Sequence, residues 1–315
     1  MNAGAETQYQ AICSCLPKPL ADPLRCLDKN IRDRIQEIRL RIGQPLSLFD
    51  GREICFLSFG GTSVPPDRGV ILTQELLRGA LIGLCGYSLH SHSEELEKGY
   101  LTASGGCRVG VVMDGGGAAD AGMPVALNIR IAKELPGVSE KILPCWNSAS
   151  GLIIAGPPGS GKTTVLRDIA KKISLTSQKV TVIDERYELS GMCRGIPSFD
   201  LGACTDILAG MEKAQAIRRS IRVLSPHVIL CDEVASEHEI TEIRSALYCG
   251  VKFLVTVHCG GREDLFSAPM IHSLLETGAF SHLLLLPPDP TGKEEPYLLT
   301  REEYQNEMAR RTDGV

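Results

Sequence analysis

Residues 156–163 read Gly-Pro-Pro-Gly-Ser-Gly-Lys-Thr and match G-x-x-x-x-G-K-[ST] at every fixed position. Glycines at 156, 159 and 161 let the backbone curl until successive N–H groups converge on one anion. A helix beginning near Lys162 turns the positive end of its dipole toward the same point. At this spacing Lys162 reaches the β- and γ-phosphates of a nucleotide, the Thr163 hydroxyl holds Mg2+, and Thr164 adds a contact to the α-phosphate. Pro157, Pro158 and Ser160 complete the loop. The flanks supply the context such a loop needs. Leu152, Ile153, Ile154 and Ala155 suit a buried strand, and Val165, Leu166, Ile169 and Ala170 recur at helical spacing. The implied ligand is a nucleoside triphosphate.

Three more apolar runs end in polar residues. Residues 179–183 lead into Asp184-Glu185-Arg186, 228–231 into Asp232-Glu233, and 253–257 into His258. Helical patterns at 214–223 and 239–248 alternate with them, which predicts an α/β fold with a mostly parallel, doubly wound sheet. Ligands of such sheets gather at the carboxyl ends of the strands. There Asp232 would hold Mg2+ directly or through water, and Glu233 would orient and deprotonate an attacking water. Asp184 and Glu185 form a second candidate pair of water- or metal-positioning carboxylates, unless Arg186 pairs with one of them. His258 is a candidate sensor of the γ-phosphate, with a plain structural hydrogen bond as the alternative. Arg218 and Arg222 lie four apart on one helix face beside Arg219. A neighbouring subunit's phosphate, an anionic partner and bulk solvent are their three alternatives.

The elements that must position these groups extend well beyond them. A chain of 315 residues favours two domains. The expected division is an α+β domain over 1–140, a P-loop domain over 141–300 and a tail over 301–315. Residues 1–23 read as an irregular lead-in or short helices. Leu24, Leu27, Ile31, Ile35 and Ile38 predict a helix from Leu24 to Leu40. Asp50-Gly51 predicts a hairpin turn. Thr73 predicts an N-cap for a helix to about Cys85, stopped by Gly86. A short helix over 93–98, a hairpin over 99–112, a flexible tip at 115–117 and a strand over 125–132 follow. Residues 187–209 read as loop-rich.

Bulk composition narrows the function. A net charge of −5 disfavours a whole-molecule grip on nucleic acid. The 12 cysteines include no C-x-x-C, so reduced thiols in a cytoplasmic protein are expected. The Leu-rich run at 283–286 is too short to span a bilayer, so any membrane contact is expected to be peripheral.

The boxes GPPGSGKT, VTVIDERYEL, SPHVILCDE and FLVTVH, in this order, resemble those of the RecA-like secretion and pilus-retraction ATPases. The resemblance implies a RecA-like P-loop NTPase domain using ATP and Mg2+, with Glu233 as catalytic glutamate. It places Asp184, Glu185 and Glu188 on that family's Asp box and His258 on its His box. The chain departs from that family's G-E-x-R-D, reading Asp232-Glu233-Val-Ala-Ser. EIRLRIGQPL at 37–46, YSLHSHSEELEKGYLT at 87–102, GGCRVGVV at 105–112 and NIRIAKELPG at 128–137 look like the stage III sporulation protein AA family, although Cys107 stands where that family more often has histidine. That resemblance implies an ATPase of endospore formers on the mother-cell cytoplasmic side of a secretion-like channel to the forespore. It further implies a homo-oligomeric hexamer, membrane-embedded channel proteins as partners, and N-terminal-domain arginines reaching a neighbour's nucleotide. Arg108 and Arg130 are the candidates, with structural pairing as their alternative. A small-molecule kinase is disfavoured because no Arg-rich lid follows the core. A nucleotide-gated scaffold and a nucleic-acid-stimulated motor remain the other readings.

Overall fold

The computed structural model describes residues 3–103, 106–114, 122–131, 137, 139–140, 142–143, 150–192, 195–288 and 294–312. The chain divides into two units: Met1–Glu134 with Gly191–Phe199, and Leu135–Ser190 with Asp200–Val315.

In the first unit, side-chain alternation sorts the strands. β1 (Glu37–Arg41) buries Ile38 and Leu40 while Glu37, Arg39 and Arg41 take the other face. It joins β2 (Ser47–Phe49), β3 (Ile54–Leu57), β4 (Ser63–Val64), β5 (Tyr100–Ala103), β6 (Cys107–Met113) and β7 (Pro124–Arg130) in one sheet of order β4-β3-β2-β1-β7-β6-β5. All its pairings are antiparallel. The helices of this unit are α1 (Ala3–Cys15), α2 (Lys18–Arg25), α3 (Lys29–Arg32), α4 (Gln74–Leu84) and α5 (Ser93–Glu97). Ile12, Leu20, Leu24, Leu77 and Leu81 share one core with Ile38, Leu127 and Ile129.

Local signals hold at several joints. The Thr73 hydroxyl accepts from Leu76 N–H at 3.3 Å and opens α4. Asp50 accepts from the N–H groups of Arg52 and Glu53 in the turn between β2 and β3. Of the two alternatives for the lead-in, helices form: α1 and α2 begin at Ala3 and Lys18, and Tyr9 OH donates to Leu24 O at 2.7 Å, fastening α1 to α2. One expectation for this unit fails. The helix over Leu24–Leu40 does not exist. Asp28 caps a separate short α3 by accepting from Asn30 N–H, and Glu37–Arg41 pair along their length with β7. Ile38 and Leu40 satisfy a period of two as well as Ile35 and Ile38 satisfy a helix, and long-range pairing decides between them. The hairpin loop at 104–105, the tip at 115–117 and most of the connection over 141–149 lie outside the described residues.

The second unit is built on β8 (Gly151–Gly156), β9 (Val180–Asp184), β10 (Thr205–Ala209), β11 (Val228–Cys231), β12 (Lys252–His258), β13 (Phe280–Leu285) and β14 (Tyr297–Thr300). Their order is β10-β9-β11-β12-β8-β13-β14, parallel throughout except for antiparallel β14. α6 (Lys162–Leu175), α7 (Lys213–Val223), α8 (Glu237–Leu247), α9 (Arg262–Leu265), α10 (Pro269–Glu276) and α11 (Arg301–Thr312) complete it. Alternate residues of each strand enter two different cores. Ile153, Ile229 and Val255 pack with α7, α8 and α10, whereas Leu152, Leu230 and Leu254 pack with α6. Burial on both faces is why these strands read as unbroken apolar runs.

The stretch 187–209 contains edge strand β10, and Leu283–Leu285 lie in β13 beside β8. Residues 301–312 form α11 rather than a tail. Half of its residues are charged, yet Tyr304 is 1% exposed, stacks on Phe266 at 5.2 Å and donates to Leu265 O at 3.3 Å. On α6, Asp168 accepts from Gly137 N–H, Ser139 N–H and Ser139 OH and pairs with Lys172 at 3.2 Å. Burial opposes its ionisation, but these donors prevail and hold its carboxyl below the ordinary value.

Tyr304→Ala is expected to cost about 3–5 kcal/mol through lost burial and a cavity, and Tyr304→Phe about 1 kcal/mol, read from denaturant or thermal melts. Because folding depresses the pKa of Asp168, its stabilisation is present above the unfolded carboxyl range and lost as pH falls below about 4. Asp168→Asn should therefore be less stable than wild type at neutral pH, with the gap closing on acidification.

Candidate active site

β8 ends at buried Gly156, and the chain turns through Gly159 (φ 78°) and Gly161 (φ 89°) into α6. Both angles are left-handed, which suits residues without a Cβ. A Cβ on Gly156 would meet Ser160 Oγ at 2.6 Å and the Leu286 carbonyl at 3.3 Å, so a side chain at the loop start would have to displace Ser160. Lys162 is 6% exposed, and its Nζ donates to the carbonyls of Gly156 at 2.8 Å and Pro157 at 2.9 Å. Burial pushes its pKa down, against the pull of Asp232, Glu233 and Cys259. Ser160 Oγ is buried with no hydrogen-bond partner among the described residues. An orphaned hydroxyl, a lysine and a helix N-terminus around open space at Gly159 fit a phosphate chain. Thr164 sits half-buried on the first turn of α6.

Beneath the loop, Thr163 Oγ1 donates to Asp232 Oδ2 at 2.8 Å. The other oxygen, Oδ1, accepts from the Thr256 hydroxyl of β12. Burial raises the Asp232 carboxyl above its ordinary value; the two threonine hydroxyls oppose this, and the charges of Glu233 and Asp184 add to it. A hydroxyl and a carboxylate side by side fit Mg2+, which takes one or two protein oxygens and completes its shell with phosphates and water. No group of three or more His, Cys, Asp or Glu among the described residues offers an all-protein metal cage.

Glu233 carries an unusual backbone, with φ at 52°. Its N–H donates to Thr256 Oγ1 at 2.7 Å, and its carbonyl accepts from Lys213 Nζ at 2.6 Å. Its Oε2 accepts from Arg186 Nη1 at 2.6 Å, and Oε1 lies 3.0 Å from His258 Nε2. His258 Nδ1 lies 3.5 Å from Lys162 Nζ. An ammonium group only donates, so Nδ1 accepts and Nε2 carries the proton it gives to Glu233. His258 thus bridges the loop lysine and the carboxylate.

The structure brings Lys162, Thr163, Asp232, Glu233 and His258 together at one edge of the sheet. It does not bring the other candidates there on equal terms. Asp184 is 2% exposed, and both oxygens are committed to the next turn, accepting from Leu189 N–H, Ser190 N–H and Ser190 OH. It anchors residues 189–190 instead of offering a free carboxylate. Glu185 faces Lys213 at 3.6 Å, and the Glu188 carbonyl accepts from Arg167 of α6. Arg218 is held by Glu242 of α8, while Arg222 is exposed. In the other unit, Arg108 and Arg130 are register partners on β6 and β7; Arg108 lies over the Tyr100 ring, and Arg130 lies 3.8 Å from Glu37. Sequence reading missed Thr256 and Lys213, and the alternative in which Arg186 pairs with Asp184 or Glu185 gives way to its pairing with Glu233. A lone threonine inside an apolar strand and a lysine opening a helix carry no motif. The polar interruption of FLVTVH was the available signal.

The Gly156–Thr163 loop at the end of β8, the acid-terminated β11 and the parallel sheet define an α/β protein that shares its fold with the pilus retraction motor PilT and the ATPase DotB. The pilus retraction motor PilT with bound ADP superposes with a TM-score of 0.59 at 17% identity, over 90% of this chain and 86% of that one. The ATPase DotB of Legionella pneumophila gives 0.57 at 14% identity, over 90% and 84%. The chain belongs to the family described as sporulation stage III, protein AA, whose model matches residues 16–296. Stage III sporulation protein AA of Bacillus subtilis is 34% identical over 286 residues, covering 87% of this chain and 90% of that protein.

Thr256→Val is expected to cost about 1–3 kcal/mol, because it strips a donor from buried Asp232 and the acceptor from Glu233 N–H. Denaturant unfolding against Thr256→Ser, which keeps the hydroxyl, checks this.

Proposed function

We propose that the chain hydrolyses ATP with Mg2+ and, as a ring of copies, powers or assembles a secretion-like channel between mother cell and forespore during endospore formation. The observation that carries the proposal is the Thr163–Asp232 hydrogen bond beneath the Gly156–Thr163 loop, with Glu233 next to it. Lys162 and the loop N–H groups would bind the phosphates, and Thr163 and Asp232 would hold Mg2+. Bound there, the ion would neutralise charge on the transferring phosphoryl group. Glu233, aimed by Arg186 and His258, would accept a proton from the attacking water. Water as acceptor fits a carboxylate next to the metal position better than a kinase does.

Membership of the sporulation family supports the biological setting, and likeness of fold to the ATPase DotB supports the reaction. A hexamer, docking to membrane-embedded channel proteins and a place on the mother-cell cytoplasmic side belong to the same proposal. Arg108, Arg130 and Arg222 are its candidates for reaching a neighbouring copy's nucleotide. No helix among the described residues is long and apolar enough to cross a membrane. One observation favours a second reading, a nucleotide-gated scaffold with little turnover: both carboxylate oxygens of Glu233 are already engaged.

Phosphate release and solution mass, measured for wild type, Lys162→Ala and Glu233→Gln, test the proposal. Lys162→Ala should lose ATP binding or hydrolysis. Glu233→Gln should bind ATP yet turn over about 10²–10⁴-fold more slowly. Equal hydrolysis by wild type and Glu233→Gln would overturn the base assignment. Intact binding without turnover in wild type would favour the scaffold, and stimulation by single-stranded DNA would favour a nucleic-acid motor.

A further inference from the structure

Lys213 opens α7 and is only 6% exposed. A buried ammonium group needs compensation. Glu185 at 3.6 Å and Glu239 at 3.7 Å supply it, from the end of β9 and the first turn of α8. The lysine's one close hydrogen bond in this cluster goes to neither acid. It goes to the main-chain carbonyl of Glu233, at 2.6 Å.

That carbonyl belongs to a residue held in the left-handed region without being glycine. Such a conformation persists only where its surroundings over-determine it. Here Thr256 Oγ1 takes the Glu233 N–H, Thr256 O takes the Val234 N–H at 2.9 Å, and Lys213 takes the Glu233 carbonyl. Glu239 continues the grip, accepting from Ala235 N–H at 2.7 Å and Ser236 N–H at 3.3 Å. Releasing the carbonyl would let residue 233 relax toward the extended conformation of β11. Its carboxylate would then swing away from His258 and Arg186.

We propose that Lys213 is a positioning residue for Glu233: it holds the strained backbone that aims the carboxylate, and Glu185 serves as its counter-ion. The proposal rests on the reading of Glu233 as the base of ATP hydrolysis. It gives Glu185 an electrostatic task through Lys213 in place of direct contact with water or metal. Lys213 acts on the step that uses Glu233, without binding nucleotide.

Steady-state ATPase kinetics and binding of a fluorescent ATP analogue, on full-length wild type, Lys213→Met and Lys213→Arg, test it. Lys213→Met should lose about 10–100-fold in kcat, the scale of losses from small misplacements of reacting groups, while KM and analogue affinity shift less than about threefold. Lys213→Arg, which retains charge and donors, should recover much of the loss. Added to Glu233→Gln, Lys213→Met should cause no further loss. Wild-type kcat in Lys213→Met, a loss confined to KM, or full additivity with Glu233→Gln would each overturn the proposal. If Lys213→Met fails to fold, Glu185→Gln carries the test, with a smaller fall in kcat at constant KM expected and unchanged kcat overturning it. Failure of the underlying reading looks different: wild type is then inactive, or Glu233→Gln is fully active.

Discussion

A carboxylate withdrawn from water must be answered by donors, and at Asp232 the answer joins the loop, the acid strand and its neighbour. It ends β11 at 9% exposure and is satisfied from two sides, by Thr163 at the head of α6 and Thr256 within β12. Both bonds are local chemistry with long-range consequences. Thr163 ties the phosphate-type loop to the acid strand, and Thr256 ties that strand to its neighbour. Losing either leaves a buried charge under-satisfied, which costs more than one ordinary hydrogen bond. The geometry of the loop and of Glu233 hangs from this arrangement.

Strand order makes the arrangement possible. In a parallel sheet every carboxyl end reaches the same edge, and here β12 lies between β8 and β11. Thr256 and His258 therefore stand between the loop and the acids. Thr256 points its hydroxyl at Asp232 and receives the Glu233 N–H, and two residues later His258 reaches both Lys162 and Glu233. Side chains at i and i+2 of a strand share a face, so one strand serves both purposes. α6 fastens the periphery to the same frame: Arg167 holds the Glu188 carbonyl and Asp168 holds Gly137 and Ser139.

Glu233 is where the fold tolerates strain. Its left-handed backbone is bracketed by Thr256 and Lys213, and its carboxylate by Arg186 and His258. Such expense at one side chain is typical of sites where chemistry depends on aim. His258 also links the Gly156–Thr163 loop to this acid, lying 3.5 Å from Lys162 Nζ and 3.0 Å from Glu233 Oε1. The two other strand-end acids serve the scaffold: Asp184 closes the turn to Ser190, and Glu185 balances Lys213.

By itself the sequence determined the elements whose causes are local. The Gly156–Thr163 loop follows from glycine spacing, the α4 start from Thr73, the turn after β2 from Asp50, and the strands β8, β9, β11 and β12 from apolar runs that end in polar residues. It misled where two periodicities fitted one stretch, as between Leu24 and Leu40, and where polar composition hid a buried anchor, as with Tyr304 in α11. It left open what only tertiary structure decides. Placing β12 between β8 and β11 makes Thr256 and His258 central, and three separate segments bring Lys213, Glu185 and Glu239 together around the Glu233 carbonyl. These relations depend on strand order and long-range packing, and neither leaves a periodic trace in the chain.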